Sequence, residues 1–244
     1  MKNIVSFSGE KDSTAMLLLM IEKNIQIDEI IFCDTTVEFP EMYEHIKRVQ
    51  AYINRPITIL KAEHSYEYMM FQYEKKKGKN KGQKGYDWAG PLSRWCTRVF
   101  KQDVLRRYLK QKYSNDVVQF IGIAVDEPER LEKNKNFKNI RFPLAEWGIT
   151  EEMALRYCYS KGFDWNGLYR KFDRISCWCC PLQSLKSLRT LYDDFPRLWK
   201  ILKEWDRKAR RNFRADYSVE ELEKKFKKEY KQKNYFKGEG NNGS

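Results

Sequence analysis

The sequence predicts an α/β chain with a largely parallel sheet and a C-terminal helical subdomain. Short apolar runs recur at 4–7, 29–33, 57–60 and 117–123, and stretches of helical spacing separate them. Strands alternating with helices are the pattern of βαβ units, which give parallel sheets. After Cys177 the chain reads as helix to about Lys233, with Pro196 opening a new one.

Each element has a local reason. The run 4–7 stops at Ser8-Gly9, and from Ser13 the residues Ala15, Leu18 and Leu19 sit on one helical face opposite Glu22 and Lys23. The run 29–33 leads to Asp34-Thr35-Thr36 and then Pro40, which suits the first turn of a helix carrying Met42, Ile46, Val49 and Ile53. A third strand, 57–60, precedes a Lys- and Gly-rich stretch at 73–90 that reads as a mobile loop. A helix is expected from about Ser93 to Lys110, then a fourth strand at 117–123. Thr150 followed by Glu151 and Glu152 predicts a capped helix to about Tyr159. The domain boundaries expected are 1–175, 176–236 for the cysteine-containing helical subdomain, and a disordered tail at 237–244.

Among the 244 residues, 47 Lys and Arg against 34 Asp and Glu give a net charge of +13 and favour polyanionic partners. Two fields hold much of the excess. One contains Lys75, Lys76, Lys77, Lys79, Lys81 and Lys84, and the other runs from Arg207 to Lys233. They fit RNA or DNA contact or a solvated surface, since nothing in them reads bases. The longest apolar run, Ala15 to Ile21, is far short of a bilayer span, and no secretory pattern opens the chain. The expectation is a cytoplasmic protein with no membrane partner, its oligomeric state open.

The segment Ser8-Gly9-Glu10-Lys11-Asp12-Ser13 joins a strand to a helix. Backbone amides at a helix start form an anion site, Gly allows close approach, and the Ser hydroxyls and Lys11 add donors. The spacing is neither a Walker A loop nor a Gly-x-Gly-x-x-Gly turn. A plain turn capped by Asp12 or Ser13 is the structural alternative.

This loop resembles the PP-loop of the adenine-nucleotide α-hydrolase superfamily, usually Ser-Gly-Gly-x-Asp-Ser. Three further elements resemble the phosphoadenosine phosphosulfate (PAPS) reductase branch: the stretch Asp34 to Tyr43, Arg94-Trp95-Cys96-Thr97-Arg98 with Lys101, and Gly122 to Arg130. The resemblance implies a Rossmann-like, doubly wound sheet with ATP or a related adenine nucleotide across the carboxyl ends of its strands. By position, Ser8, Gly9, Lys11, Asp12 and Ser13 would face phosphates, Asp34 and Thr35 would lie near the adenosine, and Arg98, Lys101 and Arg130 would neutralise phosphate or sulfate. Gly122, Asp126 and Glu127 belong to the implied nucleotide site, and Lys11, Asp12, Arg98 and Lys101 are the implied catalytic set. Glu10 and Thr36 depart from the pattern, each standing where Gly is usual. Glu10 brings a negative charge into the cradle, and backbone strain would add to its cost if φ there must be positive.

Cys177-Trp178-Cys179-Cys180-Pro181 holds a Cys-x2-Cys pair ending in Cys-Pro, a spacing that recurs at iron–sulfur centres. The resemblance makes Cys96 a third ligand, with Cys158 or Cys179 completing a 4Fe–4S cluster. Zinc and free thiols are the alternatives. Cys33 reads as a core residue, and His45 and His64 as ordinary surface or helix residues.

Three functions compete. The first is ATP-dependent, Mg2+-assisted sulfur transfer or adenylation that releases pyrophosphate, with nucleic acid a candidate acceptor. The second is sulfonucleotide (PAPS or APS) reduction, disfavoured because no cysteine follows Cys180 to serve as the family's C-terminal nucleophile. The third is a nucleic-acid-binding or regulatory protein on a scaffold weakened by Glu10.

Overall fold

Strand β1 (Lys2–Ser6) runs directly into the loop and α1 (Lys11–Glu22), and β2 (Glu29–Asp34) leads to α2 (Pro40–Ile53). Strand β3 (Thr58–Lys61) and α3 (Tyr66–Phe71) follow. A π-helical turn at Thr97–Gln102 continues into α4 (Asp103–Tyr113), then β4 (Val117–Ile121) and α5 (Pro128–Asn134). Next come β5 (Ile140–Arg141), α6 (Pro143–Glu146), α7 (Glu151–Ser160), a 3-10 turn at Trp165–Gly167 and α8 (Leu168–Lys171). The chain closes with α9 (Leu185–Asp194), α10 (Pro196–Lys208) and α11 (Val219–Glu239). This computed structural model describes residues 1–175 and 177–239, with side chains as far as Tyr230.

The chain divides into two units. Unit 1 comprises 1–63 and 96–177, and unit 2 comprises 64–95 and 178–244.

Unit 1 is built on a five-stranded sheet of order β3-β2-β1-β4-β5 in which every pairing is parallel. Ile4 pairs with Glu29 on one side and with Gln119 on the other. Strand order reverses at β1, so the crevice beyond the carboxyl ends of β1 and β4 is the switch point where doubly wound sheets take ligands. Ile4, Ile31, Leu109 and Val117 form a buried cluster against the sheet. Pro40 opens α2, and Asn54 in the left-handed conformation closes it. Thr150 caps α7 as its residue type predicts, its hydroxyl accepting from the Met153 amide. The two-residue β5 and the short α6 and α8 are too short to leave a periodic pattern in the sequence. The helix expected from about Ser93 begins at Trp95 and passes into the π-helical turn at Thr97, because the backbone at Gly90 and Ser93 pairs in a turn instead.

Unit 2 packs helices around tryptophans. α10 buries Trp199, Leu202 and Trp205, while α11 buries Val219, Leu222 and Phe226. Tyr66 of α3 stacks on Trp205 with ring centroids 5.9 Å apart, and Trp88 Nε1 donates to Asp206 at 3.1 Å. Residues 64–95, read from sequence as part of the first domain, therefore belong to the core of the second. The stretch 73–90 is a pinned hairpin, with Glu74 and Lys84 bridged antiparallel and the Gly85 amide bonded to the Tyr73 carbonyl. Helix is not continuous after Cys177: turns occupy 178–184, and 209–218 separates α10 from α11. Of the expected tail at 237–244, residues 237–239 are the end of α11 and 240–244 lie outside the described residues.

Candidate nucleotide site

The loop between β1 and α1 is held by bonds from both directions. Ser8 N and Oγ lie 3.1 and 3.0 Å from Ser13 Oγ, and the Ser13 hydroxyl also donates to the Glu10 carbonyl at 3.0 Å. From the other end of unit 1, Trp165 Nε1 donates to the Gly9 carbonyl at 2.7 Å and Tyr169 OH accepts from the Lys11 amide at 2.9 Å. Gly9 has φ +80°, and a Cβ there would lie 2.6 Å from Met42 Sδ, so only glycine fits. At Gly122 a Cβ would lie 2.7–2.9 Å from backbone atoms of Asp12 and Ser13. That glycine lets the end of β4 press against the start of α1.

A cavity of about 570 Å3 opens at the switch point. Of the residues singled out from sequence, Ser8, Glu10, Lys11, Asp12, Ser13, Lys101, Gly122 and Arg130 line it. Phe7, Ile31, Leu105, Ile121 and Phe137 supply an apolar wall, which suits a planar base beside a polar phosphate end.

The charged groups are already paired. Lys11 Nζ lies 2.9 Å from both Asp12 carboxylate oxygens and 2.8 Å from Glu151 Oε1. Burial alone would lower the Lys11 pKa, but Asp12 and Glu151 outweigh it and hold the ammonium protonated. Arg130 pairs with Glu127 at 2.5 Å. Asp12, Glu127 and Glu151 bring one carboxylate oxygen each within 4.8 Å of one another. Burial also opposes the charge on Lys101, yet Glu38, Cys177, Glu10 and Cys33 around it raise its pKa.

Glu10 differs from its sequence expectation. Its φ is −75° with ψ 166°, an ordinary extended conformation, so no backbone strain accompanies the side chain. The carboxyl is pushed up to about 7 by burial, with Arg174 and Lys101 pulling it down and Glu38 and Asp12 pushing it further up. Near neutrality Glu10 is therefore partly protonated, and Arg174 Nε stands 3.9 Å from its oxygen. The strain sits instead at Thr36, whose φ is +66°. That turn is held by the Thr36 amide donating to Asp34 Oδ1 at 2.7 Å.

Asp34, Thr35, Asp126 and Arg98 stand outside the cavity wall. Asp34 accepts from Tyr43 OH at 2.8 Å and pairs with Lys61 at 3.3 Å. The Thr35 hydroxyl donates to Glu38 at 2.8 Å and is 3.4 Å from Cys177 Sγ. Asp126 accepts from the Glu151 amide at 3.0 Å, at the start of α7. Arg98 lies in the π-helical turn. All six cysteines stand outside any disulfide. Cys96 and Cys177 belong to unit 1 and Cys179 and Cys180 to unit 2. Cys158 is fully buried, its thiol donating to the Lys11 carbonyl at 3.4 Å and its pKa raised by burial. Cys33, also pushed up to about 11 by burial, lines the cavity and is not sealed in the core.

His45 lies on helix α2, one of the two places the sequence allows it, but it is buried and not at the surface. It is 1 % exposed, stacked on Trp165 at 4.3 Å and 3.0 Å from Thr14 Oγ1, and burial followed by Arg48 lowers its pKa to about 3. It is a neutral buttress beneath the loop. Sequence reading also missed Tyr169, Arg174 and Trp165, and took Glu151 only as a helix-start residue. No local signal marks them, because each meets the loop across 140 residues or more.

Fold and loop define an α/β protein with a strand–loop–helix turn lining a cavity at the switch point of a doubly wound sheet. The chain belongs to the phosphoadenosine phosphosulfate reductase domain family, whose pattern it matches over residues 2–183. Two uncharacterized proteins of Methanocaldococcus jannaschii are similar to it, each at 28 % identity, over 84 % and 80 % of this chain. The chain spans 42 % and 45 % of their lengths, less than half of each. Among solved structures, a PAPS reductase from Candida auris in a phosphate complex aligns at 17 % identity with TM-score 0.47, over 73 % of this chain and 82 % of that one. A U34-tRNA thiolase from Methanococcus maripaludis, with its 4Fe–4S cluster, aligns at 14 % identity with TM-score 0.44, over 85 % and 72 %. No helix among the described residues is long and apolar enough to cross a membrane.

Proposed function

We propose that unit 1 binds ATP and cleaves it between the α- and β-phosphates. An acceptor atom bonds to the α-phosphorus, the α–β bridging bond breaks, and pyrophosphate leaves. The adenylated acceptor is then the substrate for sulfur transfer or is itself the product. The carrying observation is the glycine-hinged loop at the start of α1, facing a cavity with an apolar and a polar end. Loop amides and Lys11 stabilise charge on the departing pyrophosphate.

A divalent cation fits this reading on donor chemistry. Asp12, Glu127 and Glu151 offer clustered hard oxygens, the donors Mg2+ takes, and the ion would supply charge neutralisation there. For an iron–sulfur cluster, Cys96 and Cys177 of unit 1 offer thiols of the right type, and a cluster would supply redox or sulfur-holding chemistry.

The test is incubation with α-labelled ATP and Mg2+, separating AMP species from ADP. Label in AMP or an AMP adduct with stoichiometric pyrophosphate is expected. ADP with inorganic phosphate, or no ATP binding by calorimetry, sinks the proposal. Family membership favours one second reading, sulfonucleotide reduction, for which sulfite release from PAPS in the presence of a dithiol is the readout. If ATP binds without turnover, the regulatory reading of the Glu10 scaffold stands in its place.

A further inference from the structure

The net charge is not spread over the molecule. Unit 2 holds 24 Lys and Arg against 13 Asp and Glu, so +11 of the chain's +13 falls in its 99 residues. Lys76, Lys77, Lys79, Lys81 and Lys84 are all exposed on the hairpin, and none has an ion-pair partner among the described residues. The second basic field meets the first. Arg210 donates to the Gly85 carbonyl at 3.1 Å and to Asp87 at 3.3 Å, and burial followed by Arg210 lowers the Lys75 pKa. Lys75 Nζ lies 5.4 Å above the Tyr86 ring, which stacks on Tyr73. Hairpin and α10 end thus form one continuous cationic face.

Beside this face is a cleft of about 450 Å3, within unit 2. Trp88, Pro91, Leu182 and Phe213 wall it, and Arg211 and Asn212 stand at it. Arg214 fixes its shape by donating to the carbonyls of Pro181 and Gln183 at 3.1 and 2.6 Å. Arg211 and Asn212 are exposed, and neither has a hydrogen-bond or ion-pair partner among the described residues. An apolar slot with the Asn212 amide at its wall and the Arg211 guanidinium at its rim has the chemistry to take a planar base, read its edge by the amide and hold the adjoining phosphate by the guanidinium.

We propose that unit 2 binds single-stranded nucleic acid, with phosphates along Lys76, Lys77, Lys79 and Arg211 and one unstacked base in the Trp88–Asn212 cleft. A duplex keeps its bases stacked and cannot fill the slot. A membrane surface supplies the negative charge but nothing planar for a concave site. The inference does not rest on the ATP reading: nucleotide binding belongs to unit 1 and is measured separately in the same sample.

The experiment is fluorescence anisotropy of the full chain with a labelled single-stranded oligonucleotide of about 15 nucleotides. Equal-length duplex and phosphatidylserine vesicles serve as competitors. Binding is expected at about 50 mM salt, weakening as salt rises with a log–log slope of about −0.7 for each phosphate contacted. Replacing Lys76, Lys77 and Lys79 together by Ala should flatten that slope by about 2. Asn212→Ala should weaken single-strand binding about threefold or more and leave the slope unchanged, because it touches no phosphate. Duplex or vesicles that compete as well as unlabelled single strand would overturn the proposal, as would no binding at low salt. An Asn212→Ala form indistinguishable from the parent would overturn the cleft assignment.

Discussion

Replacing Glu10 by Gln should stabilise unit 1 at alkaline pH and leave it unchanged in acid. The carboxyl is raised from 4.5 to about 7, with burial as the largest cause. Because the folded value lies above the unfolded one, the folded state holds the proton more tightly. Below about pH 4.5 both states are protonated and the group costs nothing. As pH rises toward 7 the unfolded chain releases its proton first, and stability falls; above about 7 the loss is complete. At 1.36 kcal/mol per pKa unit the penalty comes to roughly 3 kcal/mol. A glutamine keeps the shape of the neutral acid and has no proton to lose. The two proteins should melt together near pH 4.5, and the Gln form should melt about 6–12 °C higher near pH 8, taking roughly 2–4 °C per kcal/mol at this size. Scanning calorimetry across that range gives the curve. A separation independent of pH, or a parent protein more stable at pH 8, would refute the assignment of a buried, proton-binding Glu10. The same charge acts on a ligand: at ~4 Å a like-charge pair costs about 1–4 kcal/mol between bulk water and an intermediate dielectric. ATP should therefore bind Glu10→Gln about tenfold more tightly at pH 8 than the parent, with the difference shrinking as pH falls.

Three further outcomes are expected. Gly122→Ala places a methyl against the backbone of Asp12 and Ser13, which cannot rotate away, so it should cost about 1–3 kcal/mol by chemical denaturation. The same change should weaken ATP binding by displacing the loop. Trp165→Phe deletes the donor to the Gly9 carbonyl and should cost roughly 1–3 kcal/mol, visible as a lower melting temperature. Protein purified without oxygen should be brown, and Cys96→Ser or Cys177→Ser should bleach it; colourless parent protein free of iron and zinc ends the metal reading.

What sequence made legible was local. Runs at 4–7 and 29–33 are strands because they are apolar and short, and Ser8-Gly9 ends the first because glycine alone takes φ +80° against Met42. Thr150 caps α7 by a bond to a residue three positions on. What escaped depends on distant partners. Glu151 looks like any acidic helix start until α7 lies against α1 and its carboxylate reaches Lys11. His45 carries the pattern of a polar helix face, yet Trp165 covers it from 120 residues away. The φ of Glu10 is not legible locally for a related reason: a family glycine does not mean a positive φ, and here the positive angle falls one residue earlier, at Gly9.

The chain passes between its two units three times, at 63–64, 95–96 and 177–178. Neither unit is therefore a contiguous stretch, and a nascent chain cannot finish one before beginning the other. Once about 177 residues have emerged, the sheet is complete but Tyr66 and Trp88 still await Trp205. A fragment cut at that point would carry those aromatic faces bare, the kind of exposed surface that drives aggregation. Isolating unit 1 for study calls for excising 64–95 as well as trimming the chain after 177.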